Sequence, residues 1–300
     1  MRRLLFTVLL LGAAARPAFA HDAAERAALG EKFMAREEWF RAATAFEEAA
    51  LETTGAASQA AWIRAADAHR MARQFAKAAA LYQEAASAAA EQGDLAALRA
   101  GQSLYLAKKY APAAGALTVF SWRYPESRHR DEAAAFAALA SLGMNDLAAA
   151  RARYSELADA ATSPARKAAW AGLAQAAAAV NELPQKSLRL AAALSLVPGL
   201  GQVYTEHYGE AGMAFVVNAV FGAIVWDQLL KAKDLNAQPH RGWAYTSPAV
   251  IGFVALPFYL GNIYGAGVSA QRYNRLQYDG FRAKLKDRTV RLQLLEVPLD

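Results

Sequence analysis

The chain has no cysteine. That removes a disulfide framework, a thiolate metal site and a cysteine nucleophile, together with a lipoprotein anchor, which needs a cysteine at the cleavage point. Histidine is also scarce, with five in 300 residues: His21, His69, His129, His207 and His240. No two stand in an H-x-x-x-H pair or beside a carboxylate at a metal-ligand spacing, so no metal is expected. Gly-x-Ser-x-Gly and Ser-x-x-Lys signatures are missing too. The Gly-x-Gly at Gly199 and Gly201 has no lysine after it and no strand before it, which rules out a nucleotide loop. No catalytic residue and no cofactor is expected.

An excess of one charge is lacking over much of the chain. Residues 21–185 carry 18 basic and 19 acidic side chains, which argues against nucleic-acid binding, where a basic face is required. The net charge of +6 sits at the two ends, with +3 in residues 1–20 and +4 in residues 186–300. Acidic pairs such as Glu37-Glu38 and Glu47-Glu48 read as solvated helix faces.

Hydrophobic residues make up 55% of the chain, too many for a disordered one. Much of that is alanine, the best helix former, which suits closely packed helices. Met1-Arg2-Arg3, the apolar run Leu4 to Ala15 and the Ala18-Phe19-Ala20 cleavage site form a signal peptide over residues 1–20. It is either cleaved before His21 or retained as an anchor, and both routes carry the next domain out of the cytoplasm.

A period follows the leader. Trp39, Phe75, Tyr110 and Leu147 each precede an alanine by three residues and are spaced by 36, 35 and 37. Small residues recur ahead of them (Gly30, Ala66, Gly101, Ala138) and after them (Ala42, Ala78, Ala113, Ala150), followed by bulky Phe46, Tyr82, Leu117 and Tyr154. This pattern resembles the tetratricopeptide repeat family over about residues 22–180. The resemblance implies antiparallel helix pairs crossing at the small residues, bulky residues between successive pairs, and a concave groove lined by the first helix of each pair. The fourth unit lacks the glycine and the first-helix aromatic, and the second has His69 where an aromatic is usual. Residues 165–180 read as a closing helix. The repeat domain is placed at 21–183, with partner-groove candidates Lys32, Arg36, Arg70, Arg73, Gln102 and Lys108. Their basic bias suggests an acidic segment or a C-terminal carboxylate as ligand.

Composition changes after Leu183-Pro184. Spans of membrane length are expected at about 211–230 and 247–268 within a membrane-embedded domain at 184–276. Before them, Pro198, Gly199 and Gly201 break Leu188–Tyr204 into a short interfacial or re-entrant piece. Pro198, Gly199, Gly201, Gln202 and Tyr204, followed by Tyr208, Gly209 and Gly212, resemble a family of small bacterial membrane domains with a Pro-Gly-x-Gly-Gln-x-Tyr pattern, related to TM2-like domains. Gly261-Asn262-Ile263-Tyr264-Gly265-Ala266 and Arg272-Tyr273-Asn274 are also similar to it. That resemblance implies a helical hairpin with a kinked lead-in and no known chemistry. Gly261 and Gly265 offer a helix-packing surface, and with it a homo-oligomer through the hairpin. His207, in the elbow, is the histidine to test for lipid-headgroup contact, and Asp227 is expected to pair with Lys231 at i+4.

Two crossings put the Lys231–Tyr245 loop in the cytoplasm and return the tail at 277–300 to the periplasm, against the positive-inside tendency. A third crossing by Leu188–Tyr204 would reverse the tail. Thr289 to Val297 reads as a short strand or a docking tail. The expectation is therefore an all-α protein: a tetratricopeptide-like solenoid followed by a membrane hairpin. Its partners would be envelope proteins and membrane lipid, not nucleic acid. Its role would be a non-catalytic interaction scaffold at the bacterial inner membrane with the repeats in the periplasm. The alternative is an accessory subunit of a transport or channel complex, with the glycine-rich hairpin as the working part.

Overall fold

A computed structural model of the chain describes residues 22–87, 92–236 and 246–294. The expected signal peptide, and the part of the expected loop at 237–245, lie outside them. The described residues form thirteen α-helices and no strand. They divide into two compact units, one running to Ala179 and taking in the chain again from Leu285, the other Val180–Lys284.

The first unit is a series of helical hairpins. Helix α1 (residues 22–35) pairs with α2 (Trp39–Glu52), α3 (Gly55–Met71) with α4 (Phe75–Ser87), α5 (Gly93–Leu106) with α6 (Tyr110–Arg123), and α7 (Arg130–Gly143) with α8 (Leu147–Ala160). Helix α9 (Pro164–Ala178), with proline in its first turn, closes the series. The four periodic anchors, Trp39, Phe75, Tyr110 and Leu147, are the first residues of α2, α4, α6 and α8.

The turn ahead of each anchor has one construction. Glu37, Arg73, Lys108 and Asn145 adopt φ of 59°, 60°, 59° and 65°. This left-handed residue ends the first helix, and the next amide reaches back five residues: Glu38 to Phe33, Gln74 to His69, Lys109 to Leu104 and Asp146 to Ser141, at 2.8–3.0 Å. That is the helix-ending bond that satisfies carbonyls left over at a helix C-terminus. A backbone device therefore recurs with the same 36, 35 and 37 spacing as the side-chain anchors.

Packing follows from the sizes. Ala42, Ala66, Ala78, Ala113, Ala138 and Ala150 are fully buried at the crossings. Where glycine stands instead, bulk from the partner helix fills the space: a Cβ on Gly30 would lie 2.8 Å from the Phe46 ring, and one on Gly101 2.5 Å from Leu117. Tyr82, Leu117, Phe46 and Tyr154 are the buried bulk, and Trp170 of α9 stacks on Tyr154 at 6.1 Å. His69 is buried and bonded on both ring nitrogens, to Gln74 at 2.7 Å and Glu47 at 2.6 Å. It therefore fills an aromatic position only because two polar partners satisfy it.

The second unit contains a short 3₁₀ turn (Ala179–Glu182, at its edge), α10 (Leu188–Leu194), α11 (Leu200–Tyr204), α12 (Tyr208–Asn236) and most of α13 (Thr246–Leu294). The expected break in Leu188–Tyr204 falls at Ser195–Gly199, between α10 and α11. At about 1.5 Å per residue neither piece reaches across a bilayer. Among the described residues, two helices are long and apolar enough to cross one, α12 and α13. Both run beyond the expected spans of 211–230 and 247–268. Pro257 lies inside α13. Thr289–Leu294, expected as a strand or a docking tail, is the helical end of α13.

Candidate functional site

Two places gather polar residues on more than one element: the elbow of the second unit and the line of first helices in the first. The elbow is built around backbone that admits no side chain. Gly199 has φ of +89°, a conformation that other residues adopt only with strain. A Cβ there would lie 2.6 Å from the Ala211 carbonyl. Gly201 is tighter still: a Cβ would sit 2.1 Å from the Ala191 carbonyl and from Ser195 Oγ, and 2.7 Å from Ala266 Cβ.

A closed set of polar bonds then ties the elbow to α13. Gln202, 3% exposed, donates through Nε2 to the Asn262 carbonyl at 3.0 Å and to Asn262 Oδ1 at 3.2 Å. Its Oε1 accepts from Ser195 Oγ at 3.3 Å. Asn262 donates from Nδ2 to the Ser195 carbonyl at 2.8 Å and accepts from the Gly199 amide at 3.3 Å. Every polar end of the two amide side chains has a partner, as burial demands. Three turns further along α13, Asn274 holds the start of the elbow the same way: it accepts from the Lys186 amide at 2.7 Å and donates to its carbonyl at 3.0 Å. Between these two asparagines, Ala266 and Ala270 pack on Ala191. The seam thus runs along α13 at four-residue steps: 262, 266, 270, 274.

The outer end of the elbow is charged. Lys186 lies 5.0 Å from the Tyr204 ring centre, 5.1 Å from that of Tyr273 and 3.2 Å from Glu206. The hydrogen bond with Glu206 raises its pKa. Tyr204 accepts from the Ser187 amide at 3.0 Å. His207 Nδ1 donates to the Thr205 carbonyl at 2.8 Å, which leaves only Nε2 for other contacts. Asp227 pairs with Lys231 at 2.7 Å. Glu210 accepts from Ser269 and Arg272, both at 2.7 Å.

The motif residues divide on this geometry. Gly199, Gly201, Gln202 and Tyr204 are fixed by named contacts, whereas Tyr208 is 67% exposed and Gly209 and Gly212 meet nothing within 4 Å. Gly261 also meets nothing, and Gly265 only the Gln202 amide at 3.8 Å. Among the described residues, no helix packs closely on the expected Gly261/Gly265 surface. The packed ridge is displaced by one residue, to Asn262 and Ala266, because polar bonds to the elbow choose the face. Gly209, Gly261 and Gly265 instead line an open cleft of about 520 Å³.

On the repeats, the six groove candidates do not come together. Arg36, Arg73 and Lys108 sit in the turns between helices, not on the first helices. Lys32 is exposed on α1, and Arg70 is half-buried on α3 with its Nε lacking a hydrogen-bond partner. Gln102, on α5, donates to Glu132 of α7 at 2.7 Å. The correction has a simple cause: sequence spacing alone does not separate the last helical turn from the left-handed turn after it.

What spacing missed is a ladder between successive first helices. Glu31 pairs with Arg64, Asp67 with Arg99 at 3.0 Å, Gln102 with Glu132, and Asp131 with Arg166 at 3.1 Å. Tyr82 joins through Asp67; burial, with the adjacent Asp67 carboxylate, pushes its hydroxyl pKa well up. This line is charge-balanced, not the basic surface expected. Opposite charges about 32–35 residues apart, one repeat length, were the available signal.

Among the described residues, no group of three or more His, Asp or Glu side chains is placed to hold a metal ion. Comparisons with known proteins find nothing similar: no family model, no curated protein and no solved structure matches the chain.

Proposed function

We propose that the protein is a membrane-anchored, non-catalytic interaction scaffold of a bacterial envelope, with tetratricopeptide-like repeats as the binding part. One observation carries the anchor. Among the described residues of Val180–Lys284, the buried hydrophobic side chains besides Pro248 are alanines (Ala191, Ala211, Ala232, Ala266, Ala270), while Phe215, Val220, Trp226, Phe253, Leu256 and Leu260 are exposed. In water such an arrangement leaves far more apolar surface uncovered than a soluble unit tolerates. In hydrocarbon it is the expected one, since bulky side chains face lipid and polar groups such as Gln202 and Asn262 must find partners inside.

The end of α13 supports an even number of crossings. From Leu285 it packs within the same unit as the repeats, so both lie on one side of any membrane crossed between them. Crossings by α12 and α13, with α10 and α11 too short to add another, satisfy that. The signal-like leader then favours the periplasm for both. The basic tail residues gain partners there: Arg291 pairs with Asp287 at 2.8 Å, and Lys286 lies 5.7 Å from the Tyr105 ring centre.

Single cysteines are a clean test in a chain that has none. A membrane-impermeant thiol reagent should label Ala80→Cys and Lys284→Cys in intact spheroplasts and leave Ala237→Cys unlabelled until the cells are opened. Labelling of Ala80→Cys and Lys284→Cys on opposite sides would end the two-crossing reading. The binding role is tested by crosslinking in living cells. If a fragment of residues 186–300 alone restores a deletion phenotype, the hairpin is the working part and the protein is an accessory subunit of a transport or channel complex instead.

A further inference from the structure

The last helical turns of α13 occupy a surface of the repeats. Leu285 is 2% exposed, Thr289 is fully buried and Leu292 is half-buried, a stripe at i, i+4 and i+7. Thr289 Oγ1 donates to the Leu285 carbonyl at 2.8 Å and is 2.7 Å from the Tyr154 hydroxyl. Its one proton being committed, Tyr154 is the donor of the second bond. Tyr154 is buried against Trp170, and burial pushes its pKa up to about 12. Gln293 reaches the Glu132 carbonyl at 3.5 Å. Alongside this segment a cleft of about 680 Å³ stays open between Lys286, Val290 and Gln293 on one wall and Leu106, Phe136 and Leu139 on the other.

We propose that this surface, from α5 and α7 to Tyr154 of α8, is a helix-binding site for a partner that carries the tail's own pattern. That partner helix has a leucine, a small hydroxyl residue one turn later, a further leucine, and a cation beside the stripe. Residues 285–293 are then a built-in occupant that such a partner must displace. That a partner exists rests on the scaffold reading, and its chemistry on the seated tail. The tail buries a threonine and one leucine fully, a modest hold for a helix of this length. The hydroxyl pair with Tyr154 selects threonine or serine at the central position, because an aliphatic residue there leaves the buried tyrosine without its acceptor. The adjoining cleft leaves room for a longer apolar side chain than Val290. A tethered occupant competes at a high effective concentration, of the order of millimolar for a short connection. A free helix of equal intrinsic affinity therefore binds the intact chain weakly.

The test uses the full chain in detergent and a fluorescein-labelled peptide copying residues 281–294. In a Leu285→Asp/Thr289→Arg variant, which loosens the tail and leaves the repeat surface intact, the peptide should bind at least tenfold more tightly than it binds the native chain. The same peptide carrying Thr289→Arg should not bind. Circular dichroism of the variant should match the native chain. Equal binding to native and variant chains would overturn the built-in occupant, and binding to neither would overturn the helix site itself. Because the probe is the chain's own sequence, these results stand apart from the scaffold reading, which fails separately if crosslinking in cells captures no partner at the repeats.

Discussion

The two units solve the same packing problem with opposite materials. In the repeats, Trp170, Tyr82, Tyr154, Phe46, Phe120 and Leu117 are inside and alanine or glycine makes room for them, although Phe40, Leu51 and Trp122 stay exposed. In Val180–Lys284 the inside is alanine, serine, asparagine and glutamine, while the bulky residues are outside. The first arrangement is held by apolar surface removed from water. The second is held by shape and matched hydrogen bonds, which matter most where no water can substitute. On the proposed membrane reading the difference follows from the solvent that each unit meets, and each side of it is open to a direct challenge.

The largest contrast is expected from truncating one aromatic on each side. Trp170→Ala removes a side chain that is 1% exposed and leaves Tyr154 unstacked. It should lower the stability of the repeats by about 3–5 kcal/mol, read as a shift in the denaturant midpoint. Phe253→Ala removes one that is 77% exposed and should change unfolding by under about 0.5 kcal/mol. A large loss from Phe253→Ala would mean that α13 has a protein neighbour there, and the inside-out description of the second unit would be wrong.

Polar substitution reverses the order. Asn262→Leu removes the side-chain bonds to Gln202 Nε2 at 3.2 Å, to the Ser195 carbonyl at 2.8 Å and to the Gly199 amide at 3.3 Å, and keeps only the Gln202 bond to the backbone carbonyl. The loss should be about 1–3 kcal/mol for the orphaned groups, seen as protease sensitivity of the elbow in detergent. Gln202→Leu combined with Asn262→Leu should be less damaging than the sum of the two, since both single changes break the same Nε2–Oδ1 bond. Additive losses would show that the two side chains are not a unit.

The repeats were legible because size and period are both written in the sequence. Trp39, Phe75, Tyr110 and Leu147 mark helix starts, and the positions that need alanine or glycine have it. The elbow was legible as a break, since Pro198, Gly199 and Gly201 can hardly continue a helix. Its partners were not. Asn262 is a polar residue in an apolar span, and nothing local indicates that its amide serves Gln202, sixty residues earlier. The ladder from Glu31 to Arg166 escaped for a similar reason: ion pairs between successive repeats join residues that look solvated one helix at a time. Of the two alternatives for the tail, the docked one agrees with its packing in the repeat unit and the strand does not. Thr289 to Val297 alternates loosely, but α13 continues as helix to Leu294, and the packing of Leu285 and Thr289 overrides the local pattern.

Acid separates the units more gently. Burial works to raise the pKa of Glu47, but its hydrogen bonds with His69 and Lys77 outweigh that, and the pKa falls below its usual value of 4.5. A carboxylate depressed in the folded state adds stability above its unfolded pKa and loses it as pH falls through the folded value. Repeat stability should therefore decline with acid below about pH 4.5. Glu47→Gln should flatten that decline by under about 1 kcal/mol, discounted because the group is partly exposed. The clamp of Gln202 and Asn262 has no group that titrates in this range, so acid should loosen the elbow only at its charged end, where Glu206 and Glu210 pair with Lys186 and Arg272. Protease cleavage within the clamp on the same acid curve would show that the clamp depends on those ion pairs.

The smallest effect concerns the turns. Glu37, Arg73 and Lys108 hold left-handed backbone without being glycine, a strain of roughly 1 kcal/mol each. Glycine relieves it but gains conformational freedom when unfolded, which takes back about half or more of the benefit. Arg73→Gly and Lys108→Gly should therefore stabilise the repeats by a few tenths of a kcal/mol apiece, resolved by thermal unfolding of the combined variant. Asn145 should give less, because asparagine tolerates this conformation better. The second unit contains the same geometry at Glu206, φ 65°, and there the sign should reverse. Glu206 is the ion-pair partner of Lys186 at 3.2 Å, so Glu206→Gly relaxes the backbone and releases the lysine held between Tyr204 and Tyr273. A stabilising Glu206→Gly would mean that this charged end of the elbow is ornament, and that the two units treat their turns alike after all.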